Sequence, residues 1–270
     1  MSRRAARFAS PIVLVAIAAV ALTACGSSAG KASVSTSSPS TSSAPALSGT
    51  ITVFAAASLT ESFTTIGKAF EAAHPAAKVT FSFGASSTLA QQIIQGAPAD
   101  VFASASKTNM TQVTDAHDAA NPKTFANNVG EIAVAPDKTS LVTSLADLAK
   151  PGVKVALCQP QVPCGAIATS IFSKAGLTVK PVTQGLDVKS TLAYVTGGSA
   201  DAAIVYVTDV KAAGSTVVGI EIPTASNTST EYPIATVSSS KNPSLAQAFE
   251  DYVLSGAGQS VLKAAGFAGP

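Results

Sequence analysis

Ile51-Thr-Val-Phe-Ala-Ala-Ala-Ser-Leu-Thr-Glu-Ser-Phe63 is the stretch that decides the fold. Ile51 to Ala56 is a short, continuous apolar run, the pattern of a strand buried on both faces. From Leu59 the period changes. Leu59, Phe63, Ile66 and Phe70 recur at helical spacing, and Ser58 with Glu61 spells a Ser-x-x-Glu capping box. A buried strand that turns directly into a helix is the repeating unit of an α/β sheet.

The same alternation runs outward from this unit. Strands are predicted at Val79 to Phe83, Val101 to Ser104, Gly130 to Ala135, Val153 to Leu157, Ala203 to Val207, Val217 to Ile222 and Tyr232 to Ser238. Helices are predicted after Ser86, after Ser144, from Cys164 to a stop at Gly176, after Asp187 to Gly197-Gly198, and twice near the C-terminus, around Leu245 to Val253 and Gln259 to Ala265. The expectation is an α/β fold with mostly parallel sheets flanked by helices. Ligands of such sheets bind at strand carboxyl ends, where helices begin.

Upstream of residue 49 the chain reads differently. Arg3, Arg4 and Arg7 form a basic n-region, and Pro11 to Leu22 an apolar segment too short to span a bilayer comfortably. Leu22-Thr-Ala-Cys25 resembles a bacterial lipobox, so 1–24 is predicted to be a lipoprotein signal peptide and Cys25 the lipidated residue. Residues 25–48 are dominated by Ser, Thr, Ala, Pro and Gly, a composition that buries too little apolar area to offset its ordering entropy and reads as a tether.

Charge narrows the function classes. Three of the 17 basic residues are the leader's arginines; the other 14, all lysines, face 15 acids, a net charge of −1 without the leader. A near-neutral chain with no basic cluster argues against nucleic acid as a partner. Without arginine after residue 7, the bidentate guanidinium grip on carboxylates and phosphates is missing. Cys158-Gln-Pro-Gln-Val-Pro-Cys164 holds an even pair at short spacing, which in an exported chain points to a disulfide. The rival reading, a metal site, lacks four ligands, because His74 and His117 lie far away in sequence.

The turns after the strands carry the chemistry. Ala57-Ser58, Gly84-Ala-Ser-Ser-Thr88, Cys164-Gly165 and Asp187-Val188 each open a helix. Helix starts present unpaired N–H groups and the positive end of the macrodipole, and several converging would cradle an anion without a cation. Taken singly, each has a plainer explanation: Ser58, Ser86 and Asp187 as caps, Tyr206 as a core tyrosine.

At these residues the chain resembles the periplasmic molybdate-binding proteins of ABC importers. The resemblance rests on Ile51-Thr-Val-Phe-Ala-Ala-Ala-Ser-Leu59, Phe83-Gly-Ala-Ser-Ser-Thr-Leu89, Gly96-Ala-Pro-Ala-Asp-Val-Phe102, Val162-Pro-Cys-Gly165, Ile204-Val-Tyr206 and Tyr232-Pro-Ile-Ala235, in family order from about residue 50 to the C-terminus. It implies a two-lobed type II periplasmic-binding fold: 49–128 and 230–270 in lobe 1, 129–229 in lobe 2, with hinge crossings near residues 127–131 and 226–232. It implies an oxyanion, molybdate or tungstate, held by the hydroxyls and amides of Ser58 and Ser86, the backbone N–H groups of Cys164 and Val188, and the Tyr206 phenol. Metal would enter only as this oxyanion; no cofactor and no catalysis are implied. An ABC permease, and the membrane through the anchor, would be the partners of a monomer on the outer face of the cell membrane. The Cys158–Cys164 pair departs from the pattern of Gram-negative relatives and would brace the loop that presents the Cys164 amide.

Other readings keep some weight. Sulfate or a small organic carboxylate would suit the same fold, although the missing arginine disfavours a carboxylate. A serine hydrolase would want Gly-x-Ser-x-Gly, and Gly84-Ala-Ser-Ser-Thr88 has only the first glycine. A purely structural lipoprotein would bind no anion.

Overall fold

The computed structural model describes residues 47–270. The leader, Cys25 and the tether as far as residue 46 lie outside the described residues.

Strand β1 (Gly49–Ala56) is paired in parallel with β2 (Ala77–Gly84) and β3 (Val101–Ala103). Further along, β5 (Val155–Cys158) pairs in parallel with β6 (Thr183–Gly185) and β7 (Ala202–Tyr206). Between these parallel wings run β4 (Lys123–Val134), β8 (Val218–Glu221) and β9 (Ser229–Thr236), all antiparallel to their neighbours. The strand order is β2-β1-β3-β9-β4-β7-β5-β6, with β8 also on β4. The sheet is therefore mixed. Its parallel pairs are those made by strand–helix alternation, and its antiparallel pairs all involve the strands that run between the wings.

The long strand β4 belongs to both halves. Lys123 to Val129 pair with β9, and Gly130 to Val134 with β7 and β8. At the change of partner, Asn227 clasps Gly130: its Oδ1 accepts from the Gly130 N–H at 3.1 Å and its Nδ2 donates to the Gly130 carbonyl at 2.9 Å. The second connection between the halves, from β8 to β9, is thereby tied to the first.

Apolar burial follows the same division. One cluster gathers Ile132, Val155, Ile171, Ile204 and their neighbours, all between 132 and 222 except for Ala57 and Ala85. Another gathers Ile51, Phe63, Phe70, Phe125, Tyr232 and Phe249, and a third Phe54, Phe102 and Met110. Phe70 and Phe249 meet edge to face at 5.4 Å, the geometry the ring quadrupole favours. The helices that supply these contacts are α1 (Thr60–Ala73), α2 (Ser86–Ile94), α3 (Lys107–Asp115), α4 (Pro163–Ala175), α5 (Val188–Thr196), α6 (Val207–Ala213), α7 (Pro243–Leu254) and α8 (Gly256–Ala265).

Two helix starts differ from expectation. Ser58 does not cap α1; it sits in a 3-10 turn (Ala57–Leu59), and Leu59 takes the cap position without a side-chain bond. The segment after Ser144 is also a 3-10 turn (Leu145–Ala149), although Ser144 and Asp147 do form a capping box. Gly176 ends α4 in the left-handed region at φ 65°, which glycine adopts without a Cβ penalty.

Candidate functional site

The carboxyl ends of β1, β2, β3, β5, β6 and β7 meet around one cavity with about 20 Å³ of free volume. Ala57 and Ser58 enter it from β1, Gly84 to Ser86 from β2, Ala105 from β3, Val162 to Cys164 from β5, Asp187 and Val188 from β6, and Tyr206 from β7. All five oxyanion positions named from the sequence, Ser58, Ser86, Cys164, Val188 and Tyr206, line this one space. Pockets for drug-sized ligands run from about 300 Å³ upward. This cavity is smaller and suits a small ion.

On the first bank, buried neighbours hold both serine hydroxyls. Ser86 opens α2 and is 1 % exposed; its Oγ accepts from the Ala105 N–H at 2.9 Å. A backbone N–H only donates, so the serine's own proton remains free for the cavity. Ser58 Oγ lies 2.8 Å from the Tyr232 hydroxyl. Asn128 reaches the same tyrosine hydroxyl. Its Oδ1 accepts from the Val129 N–H at 3.0 Å, and its Nδ2 donates to Thr208 Oγ1 at 2.9 Å and, at 3.4 Å, to the Tyr232 oxygen. Either hydroxyl of the Ser58–Tyr232 pair can be the donor; when Tyr232 donates, Ser58 keeps its own proton for the cavity. Burial and the nearby Asp209 charge push the Tyr232 phenol well above its usual range, with Ser58 and Asn128 opposing, so it stays a donor.

Backbone supplies most of the second bank. Cys164 lies in the first turn of α4, behind Pro163 at the helix start. Val188 is the first residue of α5, whose cap Asp187 accepts from the Ser190 N–H at 2.7 Å. One oxygen of the cavity's one carboxylate is thus used in capping. First-turn N–H groups have no partner within their own helix, so those of Cys164 and Val188 are available. Cys158 and Cys164 are disulfide-bonded, with Cα atoms 5.7 Å apart. Thr191 Oγ1 of α5 donates to the Asp187 carbonyl at 2.8 Å and lies 3.2 Å from Cys158 Sγ, so the sulfur bridge also packs against the start of α5.

Tyr206 completes this bank. It is buried to 1 %, and its hydroxyl has no hydrogen-bond partner. Burial raises its pKa well above the phenol's ordinary value, with Tyr232 and Asp209 adding to the effect. It is therefore a neutral donor waiting for an acceptor. Behind it, Asp209 Oδ2 accepts from the Tyr206 N–H at 3.2 Å. Burial pushes the Asp209 carboxyl up to about 6, with Lys189 pulling it back.

Sequence reasoning did not find Tyr232, Asn128 and Ala105, which orient the two serines. Tyr232 lay inside a quoted family stretch without a role. Asn128 and the Ala105 amide carry no signal until the strands are paired. Neither histidine lines the cavity: His117 is exposed and His74 packs on Phe70 with ring centroids 4.7 Å apart.

The sequence pattern of the bacterial extracellular solute-binding protein family matches residues 51–268. The molybdate-binding protein ModA of Mycobacterium tuberculosis is 40% identical over 222 residues, which cover 82% of this chain and 85% of that protein. Among solved structures, the periplasmic molybdate-binding protein of Azotobacter vinelandii superposes with a TM-score of 0.73 at 21% identity, over 82% of this chain and 99% of that one. The sulfate-binding protein SubI of Mycobacterium tuberculosis superposes with a TM-score of 0.71 at 20% identity, covering 81% of this chain and 86% of that one.

Proposed function

This chain belongs to the bacterial extracellular solute-binding proteins and is a small-anion-binding member close to the molybdate-binding relatives; from that premise, we propose that its anion is molybdate or tungstate, captured for an ABC importer. The family is one of binding proteins, and the chain is not an enzyme. It works outside the cytoplasm, anchored at the membrane. In this reading the lipid is carried on Cys25 and 25–48 is the tether.

One observation carries the choice of ligand class: a fully buried tyrosine hydroxyl without a partner lines a small cavity ringed by helix starts. An unmade buried hydrogen bond costs about 1–3 kcal/mol. A bound oxyanion removes that cost. Ser58 and Ser86 would supply hydroxyl protons, Cys164 and Val188 their amides, and Tyr206 its phenol. Hydrogen bonds to a charged acceptor are roughly twice as strong as neutral ones, so such a ring holds a dianion without any cation.

The donor set also supports selection. A fully deprotonated tetrahedral dianion needs donors only. Monohydrogen phosphate carries a proton that would need an acceptor, and Asp187, one oxygen of which caps α5, is the one carboxylate that lines the cavity. Sulfate shares charge and shape with molybdate but is smaller, so it would fall short of some donors. Sulfate is the second reading, favoured by the likeness to the sulfate-binding fold.

Capture follows lobe closure. Residues 49–128 and 230–270 form one lobe and 129–229 the other, with Gly130 and Asn227 at the crossings. The anion touches both lobes only when they are closed, so it shifts the population toward that state. The importer's permease would read the closed form.

Thermal unfolding of the full chain with molybdate, tungstate, sulfate and phosphate in parallel tests this. A ligand selective for the native state raises its melting temperature. Molybdate and tungstate should raise it at concentrations where sulfate and phosphate do not. A larger shift with sulfate would transfer the assignment, and no shift with any of the four would end it.

A further inference from the structure

Glu61, Lys189 and Asp209 form a chain of charges that crosses the cleft beside the cavity. Lys189 follows Val188 in the first turn of α5. Its Nζ donates to both carboxylate oxygens of Glu61, at 2.8 and 2.9 Å, and lies 3.2 Å from Asp209 Oδ1. Glu61 stands in the first turn of α1, whose Phe63 and Ile66 pack into the core around β1. Lys189 and Asp209 stand on α5 and α6, on the side of β7. Among the described residues this is the one ion pair that joins 49–128 to 129–229.

The two limbs of the chain are unequal. Asp209 is wholly buried, so removing Lys189 would leave an uncompensated buried carboxylate, which is strongly disfavoured. Burial would lower the Lys189 pKa, but Asp209 and Glu61 outweigh it and hold the ammonium charged. Lys189 therefore stays with Asp209 whatever the lobes do. Glu61 is half exposed, with 53% of its side chain accessible, and water can replace Lys189 around it. Opening the cleft would break the Glu61 limb and leave the Asp209 limb whole.

We propose that Lys189 is the positioning residue that latches the closed cleft, using Asp209 as its fixed anchor and Glu61 as its releasable catch. The latch rests on the anion-capture reading above and adds how long the anion is held. The catch forms only when the first turns of α1 and α5 come together, which is when Ser58 and the Val188 amide face one cavity. It contributes to the closed state without touching the ligand. Its effect therefore falls on release, while encounter with the open cleft is unaffected.

Stopped-flow and calorimetric measurements with sodium molybdate test this on the full chain and on Glu61→Gln. The glutamine removes the catch but leaves the Lys189–Asp209 pair buried and intact. The dissociation rate should rise by about two- to fivefold, the range of a partly exposed ion pair, with the association rate unchanged. Melting of the ligand-free protein should stay at the wild-type temperature. Lys189→Arg, which keeps the charge and reach, should retain the wild-type release rate, and 0.5 M potassium chloride should narrow the gap between wild type and Glu61→Gln. Wild-type release from Glu61→Gln, or a change confined to association, overturns the latch while leaving anion capture standing. If the wild-type chain binds neither molybdate nor another tetrahedral oxyanion, the capture reading fails and the latch falls with it.

Discussion

The two banks of the cavity are built on different principles. On the first, Ser58 is already hydrogen-bonded to Tyr232, and Ser86 accepts from Ala105, before any ligand arrives. On the second, helix-start amides stand beside a phenol with no partner, and a buried carboxylate sits behind them. The first bank is preorganised at little cost to the empty protein. In the proposed reading the second carries an unpartnered group that a bound anion would relieve, so binding would be coupled to closure. A binding site that must also signal occupancy benefits from one bank of each kind.

Buried charge separates the banks most sharply. Asp209 has its pKa raised from 3.8 to about 6, chiefly by burial. The folded state therefore holds this proton more tightly than the unfolded chain between roughly pH 4 and 6. Across that window, stability falls as pH rises, and the loss is complete above the folded value. Two units correspond to about 3 kcal/mol. Asp209→Asn lacks this titration. The stability of wild type relative to Asp209→Asn should therefore drop by up to about 3 kcal/mol from pH 4 to pH 7.5, measured by urea unfolding. A difference independent of pH would erase this contrast between the banks.

Removing the first bank's hydroxyls probes the opposite property. Ser58→Ala and Ser86→Ala should each weaken molybdate binding by about 1–3 kcal/mol by titration calorimetry. Each also strands a buried partner, the Tyr232 hydroxyl or the Ala105 N–H, so the empty protein should lose about 1 kcal/mol of stability as well. Wild-type affinity in both variants would remove the serines from the site. The disulfide offers a test of the second bank's scaffold. Closing the short loop between Cys158 and Cys164 contributes about 2 kcal/mol in the chain-entropy account, so reduction should lower stability by that amount. Because the same bridge holds the start of α4 and packs against that of α5, anion affinity should fall too. Unchanged affinity after reduction would confine the bridge to a stabilising role.

Much of this contrast was legible in the residues, and the limits are physical. Strands β1, β2, β3, β5, β7, β8 and β9 and helices α1, α2, α4, α5, α7 and α8 announce themselves by their apolar pattern, with glycine stops at α4, α5 and α8. Helix α3 did not, since Lys107-Thr-Asn-Met-Thr-Gln-Val-Thr-Asp115 buries only Asn109, Met110 and Val113 and has almost no apolar stripe. The first half of β4 was missed because Lys123 to Asn128 mixes polar and apolar residues where the strand leaves one half for the other. Ser58 looked like a cap because Ser-x-x-Glu is a local pattern. Its real partner, Tyr232, is 174 positions away, and Glu61 is drawn instead to Lys189. Local spacing records what the backbone needs; the relays that aim a side chain come from pairing distant strands.

The finest test of the comparison is Tyr206→Phe, because the two banks predict opposite signs for the empty protein. Losing a hydroxyl from the first bank strands a partner. Losing the Tyr206 hydroxyl strands none, since it has none, and it removes a buried polar atom that folding has desolvated without return. The ligand-free variant should therefore be as stable as wild type or more so, by about 1 kcal/mol. Molybdate binding should weaken by about the same amount, less than for either serine, because the phenol is one donor among several. The ligand-induced rise in melting temperature should shrink from both ends, with a higher start and a lower finish. A destabilised empty protein with unchanged affinity would mean that the phenol serves the fold, and the second bank would then hold its anion through amides alone.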